Sequence, residues 1–199
     1  QFMRNAVKSI HAAVKLTGSN RASLTTETEE VSEVGFTNAL ISVGTRPYRP
    51  DSIPFDQTRI FDSDDILEIK SLPRTLTVIG GGVVGVEYAT IFSALDVPVT
   101  LIEPRETILE FVDRELVDDF IHQMRDRGMT IRLGCAVKDI AVKTNGVEVT
   151  LADGRVVRSD ILLYAAGRSG NVGSLGLDTV GIEADGRGKI KVDPVTFQT

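Results

Sequence analysis

Cysteine, histidine and tryptophan are almost absent from this sequence of 199 residues, which contains one cysteine, two histidines and no tryptophan. A single cysteine, Cys135, excludes an intramolecular disulfide framework and a cysteine-based metal site. The histidines, His11 and His122, are too far apart along the chain to suggest a histidine cluster. We therefore expect no metal site, and we expect Cys135 to be a small packed residue rather than a redox centre.

Long apolar runs and a positive net charge are also missing. No run approaches the roughly 20 residues that cross a bilayer, and the opening QFMRNAVKSI has neither a signal-peptide core nor an initiating methionine. The formal net charge of −6 argues against a general nucleic-acid surface. These features predict a cytoplasmic protein that binds neither membrane nor nucleic acid, and a piece of a longer polypeptide.

The first third of the chain predicts mostly β-structure and irregular crossings. Residues 1–45 are β-rich with a turn at 17–20, and the apolar run 39–43 has the character of a buried strand. Three prolines in 46–54 predict a crossing segment. Ser63, Asp64 and Asp65 predict the N-cap of a short helix that runs through Ile69.

From Leu76 the pattern changes to strands that alternate with helices. Buried strands are predicted at LTVIG, VPVTLIE and MTIRL, with Asp113 as the cap of the second helix. The predicted apolar positions are Val83, Val84, Val86, Ala89, Phe92 and Leu95 in the first helix and Leu116, Val117, Phe120, Ile121 and Met124 in the second. This alternation indicates an α/β fold, a parallel sheet covered on both faces.

Hairpin signals follow. Asn145-Gly146 and Asp153-Gly154 separate three short alternating segments, which predicts an antiparallel β-meander. A buried strand returns at Ile161–Ala165 and stops at Gly167, and the tail GKIKVDPVTFQT predicts one more strand.

The main chemical motif is a glycine-rich turn, Gly80 to Gly85, which fits the pattern GxGxxG between a strand and a helix. In this pattern Gly80 permits a tight turn, Gly82 lets a pyrophosphate approach the backbone, and Gly85 allows close packing of the helix. The backbone N–H groups around Val83 and Val84 then face the phosphates at the positive end of the helix. The turn predicts a dinucleotide site.

Glu103 stands at the end of the next strand, 23 residues after Gly80, near the position of the acid that accepts hydrogen bonds from the ribose. An acid there favours NAD, whereas the nearby Arg105 favours NADP through its 2′-phosphate or is simply solvated. Glu87 either helps to position a nicotinamide or interacts favourably with the helix end. Gly167 either lets a cofactor ring pass or only ends its strand.

The sequence offers no convincing pair of a nucleophile and a base. If nicotinamide chemistry occurs, the cofactors carry the hydride and no protein nucleophile is required. We therefore assign no catalytic residue to this chain beyond the positioning role considered for Glu87.

Five stretches together resemble the flavoprotein pyridine nucleotide-disulfide oxidoreductases over nearly the whole chain. They are ALISVGTRPYRP, RIFDSDDIL, LTVIGGGVVGVEYATIFSALDV, IEPRETILEFVDRE and LLYAAGRSGNVGSLGL. The resemblance implies an NAD(P)-binding domain, Rossmann-like with an antiparallel meander, inserted into an FAD-binding domain. Residues 1–54 and 168–199 are then parts of the FAD domain, and 55–167 form the NAD(P) domain.

The resemblance also implies roles for individual residues. Gly44 matches a glycine near the flavin, although Ser42-Val43 departs from the Ala-Thr of the family pattern. Val137 matches a residue that packs on adenine, and Glu87 matches the glutamate beside nicotinamide and flavin. Glu103 departs from the arginine of strongly NADP-preferring members, whereas Arg105 agrees with members that use both nucleotides.

The implied activity is hydride transfer between NAD(H) and NADP(H) through FAD, in a full-length protein that is a homodimer or larger. The alternatives are a disulfide reductase such as dihydrolipoamide dehydrogenase, and a non-catalytic dinucleotide-binding module. The first flavin GxGxxG, the CxxxxC redox pair and the dimer domain of the family lie outside this sequence. The chain by itself is therefore expected to be inactive.

Overall fold

A computed structural model describes residues 3–199 and divides the chain into two compact units. One unit contains the chain up to Arg46 and again from Ser169, and the other is Pro47–Arg168. Residues 1 and 2 of the predicted first segment lie outside the described residues.

Thirteen strands and two α-helices are found among the described residues. The helices are α1 (Val83–Ala94) and α2 (Arg114–Asp126). The strands are β1 (Ala13–Gly18), β2 (Arg21–Thr25), β3 (Val31–Gly35), β4 (Thr45–Pro47), β5 (Ile60–Phe61), β6 (Leu76–Ile79), β7 (Val99–Ile102), β8 (Thr130–Arg132), β9 (Val137–Lys143), β10 (Gly146–Leu151), β11 (Val156–Ser159), β12 (Ile161–Tyr164) and β13 (Arg168–Gly170).

A five-stranded parallel sheet is the centre of the Pro47–Arg168 unit, with the strand order β5-β12-β6-β7-β8. Its central strands LTVI and ILLY are short apolar runs, as expected where both faces of a sheet are covered. From β6 the chain proceeds outward to β7 and β8, and later returns on the other side of β6 as β12. The predicted parallel α/β sheet is confirmed.

Different layers cover the two faces of this sheet. Both α-helices pack on one face, where Val86 and Phe92 of α1 and Ile121 of α2 share a core with Val78 and Leu101. The meander β9-β10-β11 covers the other face, and its residues form a second core with alternate residues of the parallel strands. The predicted meander is therefore confirmed as the third layer.

Capping and burial in the helices agree in part with the prediction. The side chain of Asp113 accepts a hydrogen bond from the N–H of Glu115, as expected for the N-cap of α2. However, Val83, Leu95 and Leu116 are about half exposed or more, so their assignment to the buried faces is wrong. Their side chains are exposed to solvent rather than packed in the core.

The predicted cap of the short helix is confirmed in position only, since Asp64 is the N-cap residue but its side chain does not cap the helix. A 3₁₀ helix spans Asp65–Glu68, and Asp64 makes no capping hydrogen bond with its side chain. Instead Asp62, which is buried, accepts hydrogen bonds from the N–H groups of Asp64 and Asp65 at 2.8 and 2.9 Å. Its carboxylate also pairs with Arg49 at 2.6 Å.

The terminal unit contains a three-stranded antiparallel sheet in the order β1-β2-β3, which agrees with the β-rich structure predicted for residues 1–45. Its core consists of Leu16, Ala22, Leu175 and Leu177. Residues 39–43, predicted to be a buried strand, form no strand, and Leu40 is 93% exposed. A buried strand requires neighbours on both sides, and the described residues supply none here. The strand predicted in the tail is likewise absent from the described residues, apart from a single bridge between Ala184 and Ile190.

Candidate functional site

The candidate site lies at the carboxyl edge of the parallel sheet. Because β6, β7 and β12 are adjacent and parallel, the residues that follow them meet there: Gly80, Glu103 and the segment leading to Gly167. Backbone hydrogen bonds join the strand ends, from Gly80 N–H to the Ile102 carbonyl at 2.9 Å and from Ala165 N–H to the Ile79 carbonyl at 2.8 Å. The chain changes direction across the sheet between β6 and β12, which is where open α/β sheets bind ligands.

The three glycines of the motif occupy different environments. Gly80 has φ +114°, and a Cβ atom there would lie 2.7 Å from the carbonyl oxygen of Ala165. A Cβ on Gly85 would lie 1.9 Å from the carbonyl oxygen of Gly80. At Gly82, by contrast, an added Cβ would meet nothing within 4 Å. The turn is closed on the protein side and open above Gly82, so the residues present fit a ligand whose phosphates approach the backbone there.

Helix α1 begins at this opening. Gly82 is its N-cap and provides no side-chain hydrogen bond to the first turn. Val83 and Val84 therefore contribute backbone N–H groups at the positive end of a twelve-residue helix. Glu87 lies one turn further along and is exposed.

Gly81 is a constrained position that the sequence analysis missed. A Cβ there would lie 2.6 Å from Cγ2 of Ile108 and 3.0 Å from Oε2 of Glu103. Its N–H donates a hydrogen bond to Oε2 of Glu103 at 2.5 Å, and its carbonyl accepts one from Leu109. The run of three consecutive glycines was the available signal, because the middle one is not required by the motif.

Glu103 is almost completely enclosed by donors. Its side chain is 4% exposed, and the Arg105 guanidinium donates to both carboxylate oxygens, from Nε at 2.8 Å and from Nη2 at 3.1 Å. The N–H of Arg105 adds a hydrogen bond at 3.0 Å to Oε1, the oxygen that does not bind Gly81. The remaining guanidinium nitrogen, Nη1, donates to Glu110 at 2.8 Å. Arg105 thus forms ion pairs with two acids, although its side chain is 45% exposed.

These contacts determine the ionisation of the pair. Burial opposes the charge on Glu103, but the hydrogen bonds from Arg105 and from the Gly81 N–H outweigh it and hold the pKa of Glu103 below its ordinary value. The hydrogen bonds to Glu103 and Glu110 raise the pKa of Arg105. Both groups are therefore charged at neutral pH.

The remaining predicted residues are distributed around this edge and beyond it. Val137 is half-buried at the start of β9, five residues after the carboxyl end of β8. Gly167 is exposed with φ +117°, and its carbonyl accepts a hydrogen bond from Tyr48 N–H at 3.1 Å. Gly44 belongs to the terminal unit and has φ +68°.

Two residues outside the site behave as ordinary structural groups. Cys135 is partly buried and its Sγ donates to the Leu133 carbonyl at 3.2 Å. His122 is exposed on α2, and its Nε2 lies 3.6 Å from Oδ2 of Asp126. Within residues 3–199, no group of three or more acidic, cysteine or histidine side chains is placed to hold a metal ion. None of the helices described is long and apolar enough to cross a membrane.

Comparison with known sequences gives a match along almost the whole chain. The family described as pyridine nucleotide-disulphide oxidoreductase matches residues 1–198. The soluble pyridine nucleotide transhydrogenase of Colwellia psychrerythraea is 38% identical over 192 residues, which cover 96% of this chain and 41% of that protein. The protein of the same name from Mycobacterium bovis is 43% identical over 160 residues, 80% of this chain and 34% of that protein. The chain thus spans well under half the length of these relatives.

Solved structures agree with the sequences. LpdA from Mycobacterium tuberculosis superposes with a TM-score of 0.86 at 26% identity, covering 96% of this chain and 43% of that one. A HOCl-induced flavoprotein disulfide reductase, RclA from Escherichia coli, superposes with a TM-score of 0.79 at 29% identity, covering 94% of this chain and 42% of that one. The chain belongs to the pyridine nucleotide-disulphide oxidoreductase family, a family of oxidoreductases whose cofactors are NAD or NADP and FAD.

Proposed function

We propose that this chain is the NAD(P)-binding portion of a cytoplasmic flavoprotein that transfers hydride between NAD(H) and NADP(H). The observation that carries the proposal is the open space above Gly82, next to two glycines whose surroundings leave no room for a side chain. The names of the curated relatives support transhydrogenation as the reaction. On this proposal residues 55–167 are the NAD(P) domain, residues 1–54 and 168–199 are parts of the FAD domain, and the full-length protein is a homodimer or larger.

Each residue of the edge has a proposed part in holding the nucleotide. The pyrophosphate lies over the turn from Gly80 to Gly85 and accepts hydrogen bonds from the N–H groups of Val83 and Val84. Glu103 accepts hydrogen bonds from the ribose, Arg105 meets a 2′-phosphate when one is present, and Val137 packs on adenine.

Three further positions are assigned to the reacting end of the nucleotide. Gly167 leaves room for a cofactor ring, Gly44 lies near the flavin, and Glu87 positions the nicotinamide. When bound, the flavin supplies reversible exchange of a hydride with nicotinamide. No residue of this chain is proposed to form a covalent intermediate.

A stopped-flow experiment on the full-length, FAD-loaded protein tests this function. NADPH is mixed anaerobically with the enzyme, and an NAD⁺ analogue with a distinct absorbance is then added. We expect reduction of the flavin followed by formation of the reduced analogue, and we expect Gly82→Val to abolish both steps. Flavin reduction that is never followed by analogue reduction would contradict transhydrogenation. The isolated chain is expected to bind dinucleotide weakly and to show no turnover.

Disulfide reduction is the second candidate, because one superposing structure is named a flavoprotein disulfide reductase. A CxxxxC pair in the full-length polypeptide, together with reduction of a disulfide substrate by NADH or NADPH, would favour it over transhydrogenation. A full-length protein that contains no FAD would instead favour a non-catalytic nucleotide-binding module.

A further inference from the structure

The loop after β7 contains an acid that the proposed nucleotide-binding residues do not include. Glu110 is about half exposed, and its Oε2 accepts a hydrogen bond from Nη1 of Arg105 at 2.8 Å. Arg105 has three guanidinium nitrogens, and each one donates to a carboxylate: two to Glu103 and one to Glu110. The arginine proposed to recognise a 2′-phosphate is therefore already engaged through all three of its guanidinium nitrogens, with two of its five N–H groups left over.

The ribose-binding acid is occupied as well. Each oxygen of Glu103 accepts one backbone N–H and one guanidinium hydrogen bond, and its side chain is 4% exposed. A carboxylate oxygen offers about two acceptor positions. A ribose hydroxyl therefore reaches Glu103 only when the guanidinium withdraws, while the backbone donors remain.

Glu110 is an alternative ion-pair partner for the Arg105 guanidinium. It lies five residues after Arg105 and already binds one of its nitrogens. For NAD(H) to bind through Glu103, the guanidinium would have to move from Glu103 toward Glu110, and the ribose hydroxyls would take its place. For NADP(H) to bind, a guanidinium that turned to the 2′-phosphate would leave the carboxylates of Glu103 and Glu110 less compensated beside a dianion.

We propose that Glu110 is a positioning residue that biases the nucleotide site toward NAD(H), because the Arg105 guanidinium loses its ion pair with Glu110 when it turns to a 2′-phosphate. This inference rests on the proposed dinucleotide site and deepens it by identifying what controls the choice between the two nucleotides. Since Glu110 is half exposed, we expect its effect on the relative affinity for the two nucleotides to be modest, on the order of the contribution of one exposed ion pair.

The test measures the affinities of NAD⁺ and NADP⁺ for the full-length, FAD-loaded protein by calorimetry, because the oxidised nucleotides do not reduce the flavin. For Glu110→Gln we expect the ratio of the two dissociation constants to shift about fivefold toward NADP⁺. The matched control is Glu106→Gln, which removes the same charge from the same loop. No hydrogen bond joins Glu106 to Arg105 in the described structure, so we expect the control to shift the ratio less than twofold.

A second pair of variants separates positioning from charge alone. In an Arg105→Gln background, Glu110→Gln is expected to leave the ratio unchanged, whereas Glu110→Asp in the wild-type background should retain most of the preference. Equal shifts for Glu110→Gln and Glu106→Gln, or a shift that persists without Arg105, would overturn the inference. Failure of the wild type to bind either nucleotide would instead overturn the proposed site, and the inference with it.

Discussion

Gly85 packs directly against the carbonyl oxygen of Gly80, so closely that an added Cβ would lie 1.9 Å from that oxygen. This contact joins the first turn of α1 to the end of β6 and closes the glycine-rich turn from below. Gly82, between them, faces open space. Two glycines therefore shape the turn, and the third leaves its outer surface accessible.

Alanine substitutions should separate these roles. Gly85→Ala forces the helix away from the strand, and we expect it to lower the free energy of unfolding by at least about 2 kcal/mol. Gly82→Ala should cost about 1 kcal/mol or less, since Gly82 has φ −78°, which alanine adopts. The same Gly82→Ala should reduce NAD⁺ affinity about tenfold, because its methyl group occupies the space above the turn. Urea unfolding and calorimetry check both; an unchanged NAD⁺ affinity would argue against a pyrophosphate there.

Asp62, and not Asp64, should support the short helix at Asp65–Glu68. Asp62→Ala removes two backbone hydrogen bonds and one of the two carboxylate partners of Arg49, so we expect a loss of about 1–3 kcal/mol in the free energy of unfolding. Asp64→Ala is the matched control, and it should change the stability by less than about 0.5 kcal/mol. Equal effects of the two variants in urea unfolding would show that the capping assignment is wrong.

Acid should weaken the Glu103–Arg105 pair. The folded-state pKa of Glu103 lies below its unfolded value of about 4.3, so the ionised group stabilises the folded state above that pH. This stabilisation is lost as the pH falls through the folded pKa. We expect the free energy of unfolding of the wild type to fall more steeply than that of Glu103→Gln between about pH 5 and pH 3. Urea unfolding at a series of pH values measures both slopes; parallel slopes would contradict the prediction.

The N-cap of α2 gives a further test. Asp113→Ala removes the hydrogen bond from Glu115 N–H, and we expect a loss of about 1 kcal/mol. Asp118→Ala, on the same helix, removes only an exposed ion pair with Arg114 and should cost about 0.5 kcal/mol or less. Thermal unfolding followed by circular dichroism compares them, and a larger loss for Asp118→Ala would contradict the capping role.

Local signals predicted much of the fold. The apolar runs at β6, β7 and β12, the glycine-rich turn and the turns at Asn145-Gly146 and Asp153-Gly154 were recognisable because period and turn chemistry act over a few residues. The prediction of secondary structure failed where a strand depends on neighbouring strands that are distant in the sequence. Residues 39–43 have the composition of a buried strand, yet no neighbouring strand covers them among the described residues.

The site shows the same division. The sequence predicted that Gly80, Gly82, Gly85, Glu103 and Gly167 follow strands or begin a helix, and parallel pairing then brings three strand ends to one edge. It could not indicate that Arg105 binds Glu103 and Glu110 at once, because the side-chain geometry of a loop depends on how the loop packs. It also could not distinguish Gly81, whose restriction comes from Ile108 and Glu103 rather than from the motif.

The amino-acid sequence alone therefore determined the order of strands and helices from β6 to β12 and the residue types available at the nucleotide-binding edge, because these depend on local periodicity and backbone preference. The tertiary structure decided which acidic side chains form ion pairs with Arg105. In this chain Arg105 forms hydrogen bonds with Glu103 and with Glu110 at the same time. Whether an arginine is free or occupied depends on distances of a few ångströms between loop side chains, and only the packed loop defines those distances.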